Sequence, residues 1–193
     1  MEGPRRQGLA LNREQLAHVL RAASRITEDP DVVVIGSQAI LGSYSEDALP
    51  PETTFSMEAD IAFRDDPNES KADQVDGAIG EGSDFHTTFS YYAQGVSIST
   101  ATLPIGWEER AVPYERADAL PSHAVCLEAH DLVISKLVAG REKDLDFATA
   151  LIRAHLVDPE ILRERAMLLP VPGAVIQRVR DSVARRVRQA REG

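Results

Sequence analysis

Cysteine occurs once in this sequence, at Cys126, so no disulfide can close within the chain and no cysteine-built zinc site can be assembled. Its surroundings, "AVCLEA", are apolar, which predicts a buried packing role rather than a nucleophile. Long hydrophobic runs are missing too. No window approaches the roughly 18 to 20 consecutive apolar residues of a membrane span, and the first residues, "MEGPRRQGLALNREQ", lack the apolar centre of a signal peptide. The expectation is a soluble cytoplasmic protein with no membrane partner. His86, His123, His130 and His155 form no H-x-x-x-H pair, which argues against zinc. Neither a G-x-S-x-G nor a Walker motif is present. Positive charge is short as well: the net charge of −10 argues against a protein that simply coats nucleic acid. It is also unevenly spread, since residues 153–193 carry +4 and residues 1–152 carry −14. That basic tail suits either a solvated helix face or a nucleic-acid backbone.

What is present suffices for one sizeable domain, or one domain with a helical appendage, in 193 residues. Asn12 and Gln15 suit a capping box, and Leu16, Val19, Leu20, Ala23 and Ile26 then recur at helical spacing up to Asp29-Pro30. The run "VVVIG" from Val32 predicts a buried strand and "SQAILGSY" a short helix, whereas "SEDALPPETTFS" is a loop. "DIAFR" predicts a second strand, and a helix is expected between Asn68 and Ile79. From His86 to Leu103 the texture suits a β-hairpin about Gln94-Gly95, with one edge strand following at 111–114. Helices are expected over Glu128–Val138, Glu142–His155, Pro159–Leu168 and Gly173–Arg191. This order of elements fits α+β or α/β packing around a small mixed sheet; the expected class is α+β, a small mixed sheet flanked by helices, with residues 1–125 as a β-rich core with an N-terminal helix and 126–193 as a helical region packed on it.

Two short stretches carry chemistry. In "EADIAFR" the alternation of a strand places Glu58 and Asp60 on one face. Adjacent carboxylates repel, and Mg²⁺ is a usual answer because it takes one or two carboxylates and completes its shell with water and phosphate oxygens. In "VVVIGSQAILGSY" the turn at Gly36-Ser37 offers backbone N–H groups and a helix start suited to a triphosphate. Each also has a plain structural use, as a helix cap and as a solvated strand face. Tyr91, Tyr92 and Trp107 are candidates for stacking on a base, although packing is the commoner use of such residues.

A strand, Gly-Ser, a short helix, a loop and then acid-x-acid opening a strand resembles the nucleotidyltransferase superfamily that includes DNA polymerase β, over roughly residues 30 to 65. A second stretch, "DLVISKLVAGREKDLDFATAL" from Asp131 to Leu151, resembles the lysine-containing motif of the nucleotidyltransferase-like toxins of the AbiEii and MenT type. The chain has 18 Arg and three Lys, yet Lys136 and Lys143 both fall in this stretch. A compact ammonium approaches phosphate where a planar guanidinium does not fit. Amid Leu132, Val133, Ile134, Leu137 and Val138, Lys136 must either snorkel outward or enter a polar cleft.

The resemblance implies an Mg²⁺-dependent enzyme. Glu58 and Asp60 would hold the metal, and Gly36, Ser37, Lys136 and Arg141 would bind the nucleoside triphosphate. Asp60 and Lys136 would act in catalysis with an aspartate after the lysine, Asp144 or Asp146. Arg141 and Asp144 also suit a plain i,i+3 ion pair on a helix surface. The implied acceptor is the 3′ end of a tRNA, with a hydroxyl of another protein as the variant, and the implied partner is a cognate antitoxin. Two features depart from the superfamily. The 20 residues between Ser37 and Glu58 require an inserted loop, and the strand expected to carry a third carboxylate, "GVSISTATL", holds Ser97 and Ser99 but no acid. The competing expectation is thus a non-catalytic nucleotide-binding or protein-interaction module with a degenerate site.

Overall fold

The β-branched run forms the middle of the sheet. Strand β1 (Val32–Val34) has all three side chains buried, as a strand covered on both faces requires. The computed structural model describes residues 11–53, 56–114 and 123–192. Strands β2 (Glu58–Phe63), β3 (Tyr92–Gly95), β4 (Val112–Pro113) and β5 (Val125–Cys126) join β1 in one mixed sheet, in the order β3-β2-β1-β5-β4. β2 is antiparallel to β1 and parallel to β3, and β5 is parallel to β1 and antiparallel to β4. Among the described residues the helices are α1 (Arg13–Thr27), α2 (Ile40–Ser43), α3 (Ser70–Ile79), α4 (Asp84–Phe89), α5 (Trp107–Arg110), α6 (Ala129–Ala139), α7 (Glu142–Arg153), α8 (Pro159–Met167) and α9 (Gly173–Glu192). The fold is α+β, as expected. None of these helices is long and apolar enough to cross a membrane.

The strand alternation sorts the layers. Ile61 pairs with Gly95 on one face of the sheet, where α3 crosses so closely that a Cβ on Gly95 would lie 2.0 Å from the Ala72 carbonyl oxygen. α1 packs on α3 and on β1 and β2, and its capping box is formed by Asn12 and Gln15 as the sequence predicts. Asp60 pairs with Gln94 on the opposite face, toward α6 and α7. These two helices pack with α8 and α9 into the helical half of the molecule. α6 carries buried Leu132, Val133, Ile134 and Leu137, and it ends at Gly140, whose φ of 67° is left-handed and frees α7 to start in a new direction. Asp131 on α6 is fully buried and answered by Arg110 Nε at 2.7 Å and Arg165 Nε at 3.4 Å, which ties α5, α6 and α8 together.

The expected hairpin over residues 86–103 is not formed. Ser83 caps α4 through the His86 N–H, Ser90 ends it at a φ of 63°, and β3 then runs parallel to β2 as a single strand. The aromatics that suggest cross-strand pairs instead cluster around His18: Phe85, Phe89 and Tyr91 all lie within 6.0 Å of its ring, centroid to centroid. Gly95 is glycine because α3 approaches it, not because the chain turns there. Residues 98–100 form a 3₁₀ turn, so "GVSISTATL" is not the strand beside Asp60. β4 realises the expected edge strand, with Pro113 where an edge tolerates it. The rest of that expected connection, residues 115–122, lies outside the described residues, as do residues 54 and 55 of the expected loop. β5 has no sequence signal of its own. It buries Cys126 completely, and a Cβ on Gly42 would lie 2.5 Å from the Cys126 Cβ, so α2 is packed directly on it.

Candidate active site

Asp60 and Glu58 project from β2 into a cleft of about 510 Å³. Its far wall comes from α6 and α7, whose Lys136, Lys143 and Asp144 line the same space. β1 runs into Gly36 beside Asp60, and the Ile35 N–H donates to the Asp60 carbonyl at 3.1 Å. Gly36 has a φ of −83°, which any residue adopts; space is what demands glycine. A Cβ there would lie 1.5 Å from Asp60 Oδ2, so the carboxylate rests directly on the glycine backbone. Ser37 opens only a three-residue 3₁₀ turn followed by the four-residue α2. The macrodipole expected from a helix start is accordingly small, and any phosphate affinity there comes from local N–H groups and the Ser37 hydroxyl, which also lines the cleft. The buried Gln38 fixes this turn by donating to the Ser56 carbonyl at 3.0 Å, just ahead of β2.

The Asp60 carboxyl is pushed up to about 6, first by burial and then by the charge and hydrogen bond of Glu58, against the opposing pull of Lys136 and Lys143. Glu58 is oriented by Tyr92, whose hydroxyl donates to Oε2 at 2.8 Å. Burial and this neighbouring carboxylate raise the Tyr92 phenol, so it stays a donor. Lys136 does not snorkel: Nζ donates to Asp144 Oδ1 at 3.0 Å and lies 4.8 Å from the centre of the Phe147 ring. Asp144 is 2 % exposed, and its Oδ2 makes only a 3.3 Å ion contact with Arg141 Nε. Arg141 itself is largely exposed at the rim. The structure brings Gly36, Ser37, Glu58, Asp60, Lys136, Arg141 and Asp144 to one cleft, but Asp146 is exposed and does not line it.

Sequence reasoning missed Gln94 and Glu52 as contributors, and it offers Tyr92 for stacking on a base where the structure has its hydroxyl holding Glu58. Gln94 pairs with Asp60 in register and lines the cleft, so the strand position nearest Asp60 holds an amide. Glu52 reaches the cleft from the inserted loop. Only the β2–β3 register reveals Gln94, because the expected hairpin puts Gln94 in its turn whereas the structure pairs it with Asp60 inside β3.

Among the described residues no group of three or more His, Cys, Asp or Glu side chains could hold a metal ion. Two carboxylates whose like charges repel, one of them seated on a glycine where a Cβ would fill its place, do fit an ion that takes one or two carboxylates and shares phosphate oxygens.

A mixed sheet whose central strand ends in Gly-Ser, beside a strand opening with two carboxylates, is the arrangement of a nucleotidyltransferase-type domain. In agreement, residues 14–170 match the family described as "Nucleotidyltransferase of unknown function (DUF6036)", and the chain belongs to that family. Neither the curated proteins nor the solved structures yield a match.

Proposed function

We propose that the protein is an Mg²⁺-dependent nucleotidyltransferase that moves a nucleoside monophosphate from a nucleoside triphosphate to an acceptor hydroxyl. The acceptor is the 3′ end of a tRNA, and the protein acts in the cytoplasm as the toxin of a pair with a cognate antitoxin. One observation carries the chemistry: Glu58 and Asp60 face Lys136 and Lys143 across a single cleft, with Gly36 clearing the space at Asp60. The tRNA acceptor and the toxin role rest on the likeness of Asp131–Leu151 to the AbiEii and MenT type.

Mg²⁺ held by Glu58 and Asp60 would supply positive charge to the phosphate oxygens during transfer. Ser37 and its backbone hold the triphosphate, and Lys143 and Arg141 at the rim neutralise its charge. Asp144 fixes the Lys136 ammonium so that it offers its remaining N–H groups to the cleft. The acceptor oxygen bonds to the α-phosphorus, the bond from that phosphorus to the bridging oxygen breaks, and pyrophosphate leaves. Gln94 can orient the acceptor hydroxyl but cannot take its proton, which passes to a phosphate oxygen of the substrate.

The test is incubation of the purified protein with labelled NTPs, Mg²⁺ and total tRNA. Label on tRNA that disappears in Asp60→Ala supports the proposal, and equal label with Asp60→Ala refutes the mechanism. Gln94 favours one alternative, a nucleotide-binding or interaction module whose site has lost catalysis. Saturable NTP binding with no label on any acceptor, across all four NTPs, would select it.

A further inference from the structure

Beside the cleft lies a second groove of about 400 Å³ that the transfer chemistry leaves unused. Ala101 and Thr102 line both, so the two hollows are neighbours. Its wall is Trp107, the single tryptophan of the chain, and the Arg64 guanidinium carbon stands 5.9 Å from the centre of the indole ring. Arg64 is exposed and makes no ion pair among the described residues. It follows the last residue of β2, the strand that opens with Glu58 and Asp60. From Asp60 to the end of β2 at Phe63 the strand spans about 10 Å, the length of roughly three stacked bases at about 3.4 Å each.

An indole and a guanidinium placed together, next to a reaction centre for nucleotides, match the faces of a nucleobase. Bases of single strands stack on aromatic rings and on arginine planes, and the cation also serves the neighbouring phosphate. Glu108 at the edge of the groove can accept from a base amino group or a ribose 2′-hydroxyl. We propose that this groove is an acceptor-strand subsite, in which Trp107 stacks a base a few positions in from the 3′-hydroxyl of a single-stranded RNA and Arg64 holds an adjacent phosphate. The proposal rests on the nucleotidyltransferase function and selects its acceptor: a nucleic-acid end rather than a protein hydroxyl.

Trp107 is its own reporter, because no other tryptophan contributes to the emission. A short single-stranded RNA with a free 3′-hydroxyl, carrying a dye at its 5′ end, is titrated into the full chain without nucleotide. Intrinsic emission and dye anisotropy are followed together. Saturable quenching that tracks the anisotropy is expected. Trp107→Ala should weaken binding about ten-fold or more, and Trp107→Phe should retain most of it. The exposed Arg64→Gln, which leaves packing intact, should lower the slope of log affinity against log salt by about 0.7. Binding with unchanged Trp107 emission, unchanged affinity and salt slope in the variants, or no binding by the wild type would each overturn the subsite. Labelling of a protein with no response to RNA would overturn it and leave the transferase standing. Quenching without nucleotide transfer to any acceptor would do the reverse.

Discussion

Asp60 sits where burial and Glu58 both oppose its negative charge, and its carboxyl is pushed up from 3.8 to about 6. A raised acid favours the folded state when protonated, so its contribution is fully present below about 4, is lost as pH rises to about 6, and stays lost above. In metal-free protein Asp60→Asn should therefore stabilise the fold by on the order of 2 kcal/mol at pH 8, and by less at pH 5, while abolishing transfer. Thermal unfolding in EDTA at the two pH values checks the sign; a variant less stable than wild type at pH 8 would contradict it. The two later aspartates part company on geometry. Asp144→Ala strands the ammonium of Lys136, which is mostly buried, and should cost about 2–3 kcal/mol and at least roughly a hundred-fold in transfer rate. Asp146→Ala, at an exposed position outside the cleft, should stay within about 0.5 kcal/mol of wild type with unchanged rate. Urea denaturation and labelled-nucleotide incorporation on the two variants would settle the contrast.

Elements with strong local signals were legible in the sequence, and those set by packing were not. The capping box of α1, the buried run of β1, the alternation of β2 and the helices from α6 onward all follow from residues within a turn or two of one another. β3 and β5 do not. β5 has two residues and is a strand only because β1 and β4 lie on either side of it. β3 carries a glycine that signals a turn, yet that glycine answers to α3, which is distant in sequence and adjacent in space. Gly95→Ala tests this directly, since a turn glycine outside the left-handed region tolerates alanine but this one would meet the backbone oxygen of Ala72. A loss of about 2–3 kcal/mol in urea denaturation is expected, whereas a neutral result would mean that α3 can withdraw. In the candidate site, Glu58, Asp60 and Lys136 were legible because residue type and local pattern suffice to single them out. The choice of Asp144 over Asp146, and the amide of Gln94 beside Asp60, depend on how α7 and β3 are placed on β2, which local pattern does not encode.

At the scale of the molecule, cleft and fold are linked because β2, which carries both carboxylates, lies next to the central strand. An ion that binds only the folded chain stabilises it by mass action, and Mg²⁺ at about one hundred times its Kd should add about 2.7 kcal/mol. That gain should vanish in Asp60→Asn, and thermal unfolding against Mg²⁺ concentration measures it in both proteins. Cys126 offers a second view of the same linkage. Its thiol is wholly enclosed on β5 against β1, and that burial pushes it up to about 12, so a thiol-reactive dye meets neither an accessible sulfur nor a thiolate while the sheet is closed. The rate of dye incorporation under native conditions is then a clock for the opening of the centre of the sheet, with no second thiol to blur it. Ion binding in a cleft on one side of the molecule would be heard as a slower tick from a sulfur that touches neither ion nor substrate.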